Sequence, residues 1–253
     1  VPAIPYAEQD KHSQRLYDAV NYTHYNITDE QIYRARRAYC ANISYLDDKI
    51  GELLQVLDDC DFADNTVIVF CADHGDMLGE RGLWYKMCFY EYAMRIPLVL
   101  HAPAQFQARS VQTPVAAQDI LPTLMELAGA DPSKVASPID GTSLVSLAQG
   151  QEQPERVVQA EYCAEGSVAP MIMLRQGSFK FNYCEADPLQ LFDLEADPKE
   201  LNNLANNPAY ADVLQNFQQQ LQARWNLVEF KQQVMQSQAN RHLVDAANRK
   251  GKF

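Results

Sequence analysis

Thr66-Val67-Ile68-Val69-Phe70-Cys71-Ala72-Asp73-His74-Gly75-Asp76 is the stretch on which the fold turns. An unbroken β-prone run leads straight into two acids, a histidine and a glycine. A strand that does not alternate apolar with polar reads as covered on both faces, as in a parallel sheet. Cys71 within it reads as a small buried hydrophobe. In open α/β sheets, ligand sites lie beyond the carboxyl ends of such strands. A carboxylate beside an imidazole there suits a divalent metal. The Asp oxygen favours hard ions, and neutral imidazole widens the range to Mn or Zn. Gly75 lets the chain turn sharply or approach a ligand. Taken alone, Asp73 and His74 more commonly mark an ordinary strand end, and two ligands are too few for a metal site.

Upstream, Thr28 and Gln31 form a capping box, and Ile27 can staple onto Ile32. Ile32, Ala35, Tyr39, Ile43, Leu46, Ile50, Leu53 and Leu57 then recur in steps of three and four. That spacing predicts a long helix with one buried face. Residues 1–27 are rich in Pro, Tyr, Asn and His without periodicity and read as an extended surface segment. Downstream, a polar loop over 73–95 leads to a second apolar strand, Ile96–Leu100. A short helix over 119–128 follows, with Asp119 as possible cap, Pro122 in its first turn and Gly129 as stop.

From about residue 157 the strands shorten. Val157–Tyr162, Met171–Arg175 and Phe179–Tyr183 read as strands, the last two joined as a hairpin at Gln176-Gly177. Helical spacing resumes after Asn207-Pro208 and continues through the Gln- and Asn-rich 228–249. This order predicts an α/β main layer over residues 1–150 and a smaller α+β subdomain over 151–253.

Composition narrows the function classes. The 253 residues carry 33 acids against 21 Lys plus Arg, a net charge of −12, which argues against a nucleic-acid binder. No apolar run approaches the roughly 18–20 residues of a membrane span. The six cysteines form no C-x-x-C pair and read as free thiols of a cytoplasmic protein. Lys86 lies thirteen positions beyond Asp73. Brought back beside a metal, it could offset charge developing on a transferred sulfuryl or phosphoryl group. Alone, it reads as a solvated surface lysine.

The conjunction of strand, Asp-His-Gly-Asp and downstream lysine resembles the sulfatases of the alkaline phosphatase superfamily. The stretch Ala72-Asp73-His74-Gly75-Asp76-Met77-Leu78-Gly79-Glu80-Arg81-Gly82-Leu83-Trp84-Tyr85-Lys86-Met87 is similar to their choline-sulfatase branch. So are Arg36–Tyr45 and Glu161–Pro170, while Asp119–Leu124 and Leu191–Pro198 are sulfatase-like more generally.

The resemblance implies part of an alkaline-phosphatase-like mixed or parallel sheet flanked by helices, plus a small C-terminal antiparallel sheet with helices. It implies that Asp73 and His74 are two ligands of one divalent metal, Ca2+ first, with Mn2+ or Mg2+ open. Lys86 would contact the sulfate oxygens and act in catalysis. Glu165 is the candidate acid for a trimethylammonium group, with a solvent-exposed loop Glu as the plain alternative. Trp84 and Tyr85 read as loop packing. The implied reaction is hydrolysis of a small-molecule sulfate ester, choline O-sulfate, through a formylglycine nucleophile and a covalent sulfo-enzyme. The Cys/Ser-x-Pro-x-Arg sequence that yields formylglycine is absent from these residues. The chain therefore resembles the C-terminal half of such an enzyme, expected to be inactive alone and homo-oligomeric when intact. The alternatives are a phosphonate or phosphate ester hydrolase of the same superfamily, or a non-catalytic fragment or interaction module.

Overall fold

In the computed structural model, residues 2–131 and 134–250 are described. The chain opens with a helix that its composition hides. Helix α1 (Lys11–Ala19) starts at Asp10, whose side chain accepts from the Ser13 backbone N–H at 3.0 Å. The segment predicted to be extended and superficial thus buries His12, Ser13 and Leu16. Its inner face is mostly polar, so no apolar periodicity marks it.

The capping box forms as its sequence predicts and starts helix α2 (Asp29–Asp59). The apolar stripe of α2 is not buried: Ile43 is 55 % exposed and Leu53 66 %. Strand β1 (Ile68–Cys71) pairs with strand β4 (Leu98–His101) in a two-stranded ribbon. The pairing is antiparallel, with Ile68 opposite His101 and Cys71 opposite Leu98, not parallel as the apolar run suggested. A parallel pair needs a crossover, usually a long helix. The connection here holds only the hairpin of β2 (Met77–Leu78) and β3 (Trp84–Tyr85) and the four-residue helix α3 (Glu91–Met94). Cys71 is exposed, and so are Phe70 and Val99.

Helix α4 (Ile120–Leu127) follows a 3-10 turn, and Asp119 sits at its cap position. The Asp119 side chain does something else. Fully buried, it accepts from the Ala116 and Thr142 backbone N–H groups and pairs with Arg156 at 2.6 Å. A short helix α5 (Val145–Ala148) precedes an antiparallel sheet of β5 (Val157–Tyr162), β6 (Met171–Gln176), β7 (Phe179–Cys184) and β8 (Gln190–Asp193), in that order. Helix α6 (Ala211–Arg224) covers one face of this sheet. There Phe217 and Leu221 meet Ile172, Leu174, Phe181 and Leu191, and the Phe181 and Phe217 rings stack at 5.7 Å. Met171 and Met173, on the opposite face, pack on Phe89. Strand β6 is thus buried on both sides, and the sheet buttresses the loop that carries Lys86. Helix α7 (Leu227–Lys250) buries none of its described residues.

The molecule is of the α/β class, with flanking helices and a C-terminal antiparallel sheet as expected. No helix among the described residues is long and apolar enough to cross a membrane.

Candidate active site

The end of β1 delivers Asp73 and His74 into one compact turn. The Asp73 Oδ1 accepts from the His74 backbone N–H at 3.0 Å, and its Oδ2 lies 3.3 Å from His74 Nε2. His74 Nδ1 lies 2.7 Å from the Gly75 carbonyl, so Nδ1 carries the proton and Nε2 is left as a lone pair. Lys86 Nζ donates to that lone pair at 2.7 Å. The three residues singled out in the sequence, with Lys86 twelve positions beyond His74, therefore converge on one point.

Two devices produce the convergence. The first is Gly75, whose N–H donates to the Ala93 carbonyl at 2.7 Å. A Cβ there would sit 2.1 Å from the Tyr92 carbonyl oxygen, so only glycine lets the turn lie against α3. The second is the β2–β3 hairpin, which folds Lys86 back toward His74. Its loop is closed by Gly79 N–H to Leu83 carbonyl at 2.9 Å, with positive φ at Gly79, Arg81 and Gly82. Arg36 of α2 grips it, donating to the Leu78 carbonyl at 2.9 Å and pairing with Glu80 at 2.8 Å. Arg81 lies over the Tyr90 ring at 4.2 Å and donates to the Glu200 carbonyl. Arg36, Glu80 and Arg81 all stand within the quoted sequence, yet nothing local marked them as the hairpin's anchors. The bonds of Arg36 to Leu78 and Glu80, and of Arg81 to Glu200, span 42 to 119 residues.

Glu165 lies on the β5–β6 connection, where the Tyr162 hydroxyl donates to its carboxylate at 3.1 Å. Its own backbone N–H holds the carboxyl below its ordinary range, helped by Tyr162 and by the charge of Lys86. Asp76, the last residue of Asp-His-Gly-Asp, turns instead toward Tyr39 of α2, whose hydroxyl it helps burial push up. Cys88 is buried, and burial pushes its thiol up to about 12, which leaves it inert as a nucleophile.

The donors fit a divalent ion in part. An imidazole lone pair and a carboxylate oxygen 3.3 Å apart can occupy adjacent positions on an ion that binds ligands at about 2.0–2.6 Å, provided that Lys86 Nζ gives up the Nε2 lone pair to which it donates here. Among the described residues no group of three or more His, Cys, Asp or Glu gathers to complete such a shell.

The family model described as Sulfatase matches residues 5–130, and the one described as N-sulphoglucosamine sulphohydrolase, C-terminal, matches residues 79–226. The chain belongs to the sulfatase family. It is 46 % identical to a choline-sulfatase of Rhizobium meliloti over the whole of this chain and 50 % of that protein. A phosphonate monoester hydrolase of Agrobacterium radiobacter superposes with a TM-score of 0.68 at 26 % identity, over 78 % of this chain and 42 % of that one. A structure solved with D-glucosamine-2-N,6-O-disulfate superposes with a TM-score of 0.65 at 28 % identity, over 89 % of this chain and 46 % of that one. The chain spans half the length of the choline-sulfatase it matches.

Proposed function

We propose that this chain is the C-terminal portion of an enzyme that hydrolyses choline O-sulfate to choline and sulfate. The observation that carries the reading is the meeting of Lys86 Nζ and His74 Nε2 at 2.7 Å beside Asp73, at the exit of β1. The 46 % identity to a choline-sulfatase supports the choice of substrate.

In this reading Asp73 and His74 hold two positions on one divalent metal, Ca2+ foremost, with Mn2+ or Mg2+ as alternates. The bound ion would supply Lewis-acid polarisation of the sulfuryl group. Lys86 places a compact positive charge against the sulfate oxygens and offsets the charge that grows there. Glu165, held ionised, faces the trimethylammonium group, which has no N–H to donate and is recognised by charge and aromatic faces. The remaining ligands and the formylglycine nucleophile are assigned to residues outside this chain. Residues 1–150 serve as part of the catalytic domain and 151–253 as a subdomain that buttresses it. The helices over 208–249 supply subunit contacts in a cytoplasmic homo-oligomer, the location resting on free cysteines such as Cys40, Cys60 and Cys71.

The test is an assay of the gene product that carries this chain, before and after chelation, on choline O-sulfate, an aryl sulfate and a phosphonate monoester. Turnover of choline O-sulfate that is lost on chelation and restored by a divalent ion is expected. Hydrolysis of the phosphonate ester without the sulfate ester would sink this reading. It would favour phosphonate hydrolysis, to which the Agrobacterium likeness points. A metal pair and a lysine serve either anion.

A further inference from the structure

We propose that His12 is a positioning residue that fixes Lys86 against Glu165, and so sets the grip on a substrate anionic at one end and cationic at the other. The inference rests on the roles given to Lys86 and Glu165 above. His12 sits on α1 and is 5 % exposed. Its Nε2 lies 2.5 Å from the Met87 carbonyl. A carbonyl only accepts, so Nε2 carries the proton and holds the residue next to Lys86. The same ring meets Tyr162 edge to face at 5.9 Å, and Tyr162 in turn holds the Glu165 carboxylate. Gly166, next to Glu165, is seated on α1. A Cβ there would come within 2.7 Å of Leu16 and 3.5 Å of His12 Cε1, and its φ is +75°. Arg15, three residues on, donates from Nε to the Gly166 carbonyl at 2.7 Å and is fixed by Asp187. One helix therefore docks the Lys86 loop and the Glu165 loop at once, and His12 touches both, hydrogen-bonding the first and packing its ring on Tyr162 of the second. Its Nδ1 is buried without a partner among the described residues. An unpaired buried nitrogen lowers stability, so for packing alone an apolar ring would suit the position better. The specific contribution of the imidazole is its bond to Met87.

The test compares His12→Phe, which keeps the ring on Tyr162 and loses the donor, with His12→Gln, which keeps a donor. Both are made in the gene product that carries this chain. His12→Phe is expected to lower kcat on both substrates, because Lys86 acts on the sulfate of each, and to raise KM for choline O-sulfate about tenfold more than KM for an aryl sulfate lacking the cation, with His12→Gln recovering most of both. An equal loss on both substrates that His12→Gln does not recover would mark His12 as merely structural and overturn the proposal. A second readout does not depend on the assigned substrate. The acylation rate of Lys86 by an amine-reactive reagent, followed by peptide mass spectrometry, is expected to change several-fold in His12→Phe and to return in His12→Gln. An unchanged rate overturns the proposal whatever the enzyme hydrolyses. A wild-type protein without choline O-sulfate turnover, in which the Lys86 rate still responds, overturns only the substrate assignment.

Discussion

At the residue scale the site depends on a few atoms. Gly75→Ala forces a methyl into the Tyr92 carbonyl at 2.1 Å, and this contact is backbone, which cannot swing aside. A loss of about 1–3 kcal/mol in stability is expected, read by urea unfolding, together with weaker retention of divalent metal. Lys86→Met removes the point charge from the proposed anion site. It should lower kcat/KM of the complete enzyme about 100-fold, with wild-type activity in the variant refuting the assignment. Glu165→Gln should raise KM for choline O-sulfate more than for an aryl sulfate, and equal effects would count against a role in cation binding. The Glu165 carboxyl lies below its ordinary 4.5, so it stays charged in mildly acid solution. The proposed preference for a cationic substrate is therefore expected to persist on acidification until pH falls below that value, which a KM series against pH measures.

At the scale of elements, α3 and the loop before it are anchored by a buried charge network. Lys180 of β7 is inaccessible to solvent. It donates to the Phe89 carbonyl at 2.7 Å and pairs with Glu91 at 3.0 Å and with Glu200. Arg175 pairs with the other oxygen of Glu91, and Glu200 accepts from the Glu91 backbone N–H at 2.7 Å. Burial pushes the Glu200 carboxyl up, against the pull of Lys180. The two halves of the pair are therefore unequal. Lys180→Met leaves the buried Glu200 carboxylate without its cation, while Glu91 keeps Arg175, and should cost about 3–5 kcal/mol. Glu200→Gln leaves Lys180 paired with Glu91 and should cost distinctly less. Thermal melts of both variants measure the difference, and an equal or reversed order would refute the asymmetry. Because Gly75 hangs on α3, Lys180→Met should also loosen the Asp73–His74 turn.

Element by element, legibility in the sequence followed the range of the forces involved. Helix α2 was readable because the Thr28–Gln31 box and the apolar repeat are local. The hairpin at Gln176-Gly177 was readable for the same reason, with Gly177 at φ +56°. Helix α1 was not, since what holds it is Arg15 on Asp187 and His12 on Met87, partners 172 and 75 residues distant. Asp119 looked like a helix cap, but its carboxylate is bound to Thr142 and Arg156, which no local spacing reveals.

At the scale of the whole molecule, the core is concentrated on one side. Leu16, Met77, Leu83, Tyr90 and Phe192 form one cluster, and the four-stranded sheet with α6 another. The α2 stripe and the β1–β4 ribbon lie apart from both, with Leu53 and Val99 more than half exposed. The 253-residue chain on its own is expected to hydrolyse neither sulfate nor phosphonate esters, because the only metal donors assigned to it are Asp73 and His74. Metal-dependent turnover by the isolated chain would refute that division of the site. By itself the sequence determined the long capped helix, the strand before Asp73-His74, the C-terminal hairpin and the family resemblance, all carried by residues close together along the chain. Tertiary structure alone decided that β1 and β4 run antiparallel, that Lys86 reaches His74, and that a helix hidden in residues 1–27 joins the two loops. Those outcomes depend on hydrogen bonds and charge pairs between distant segments, whose partners become neighbours only when the chain is folded.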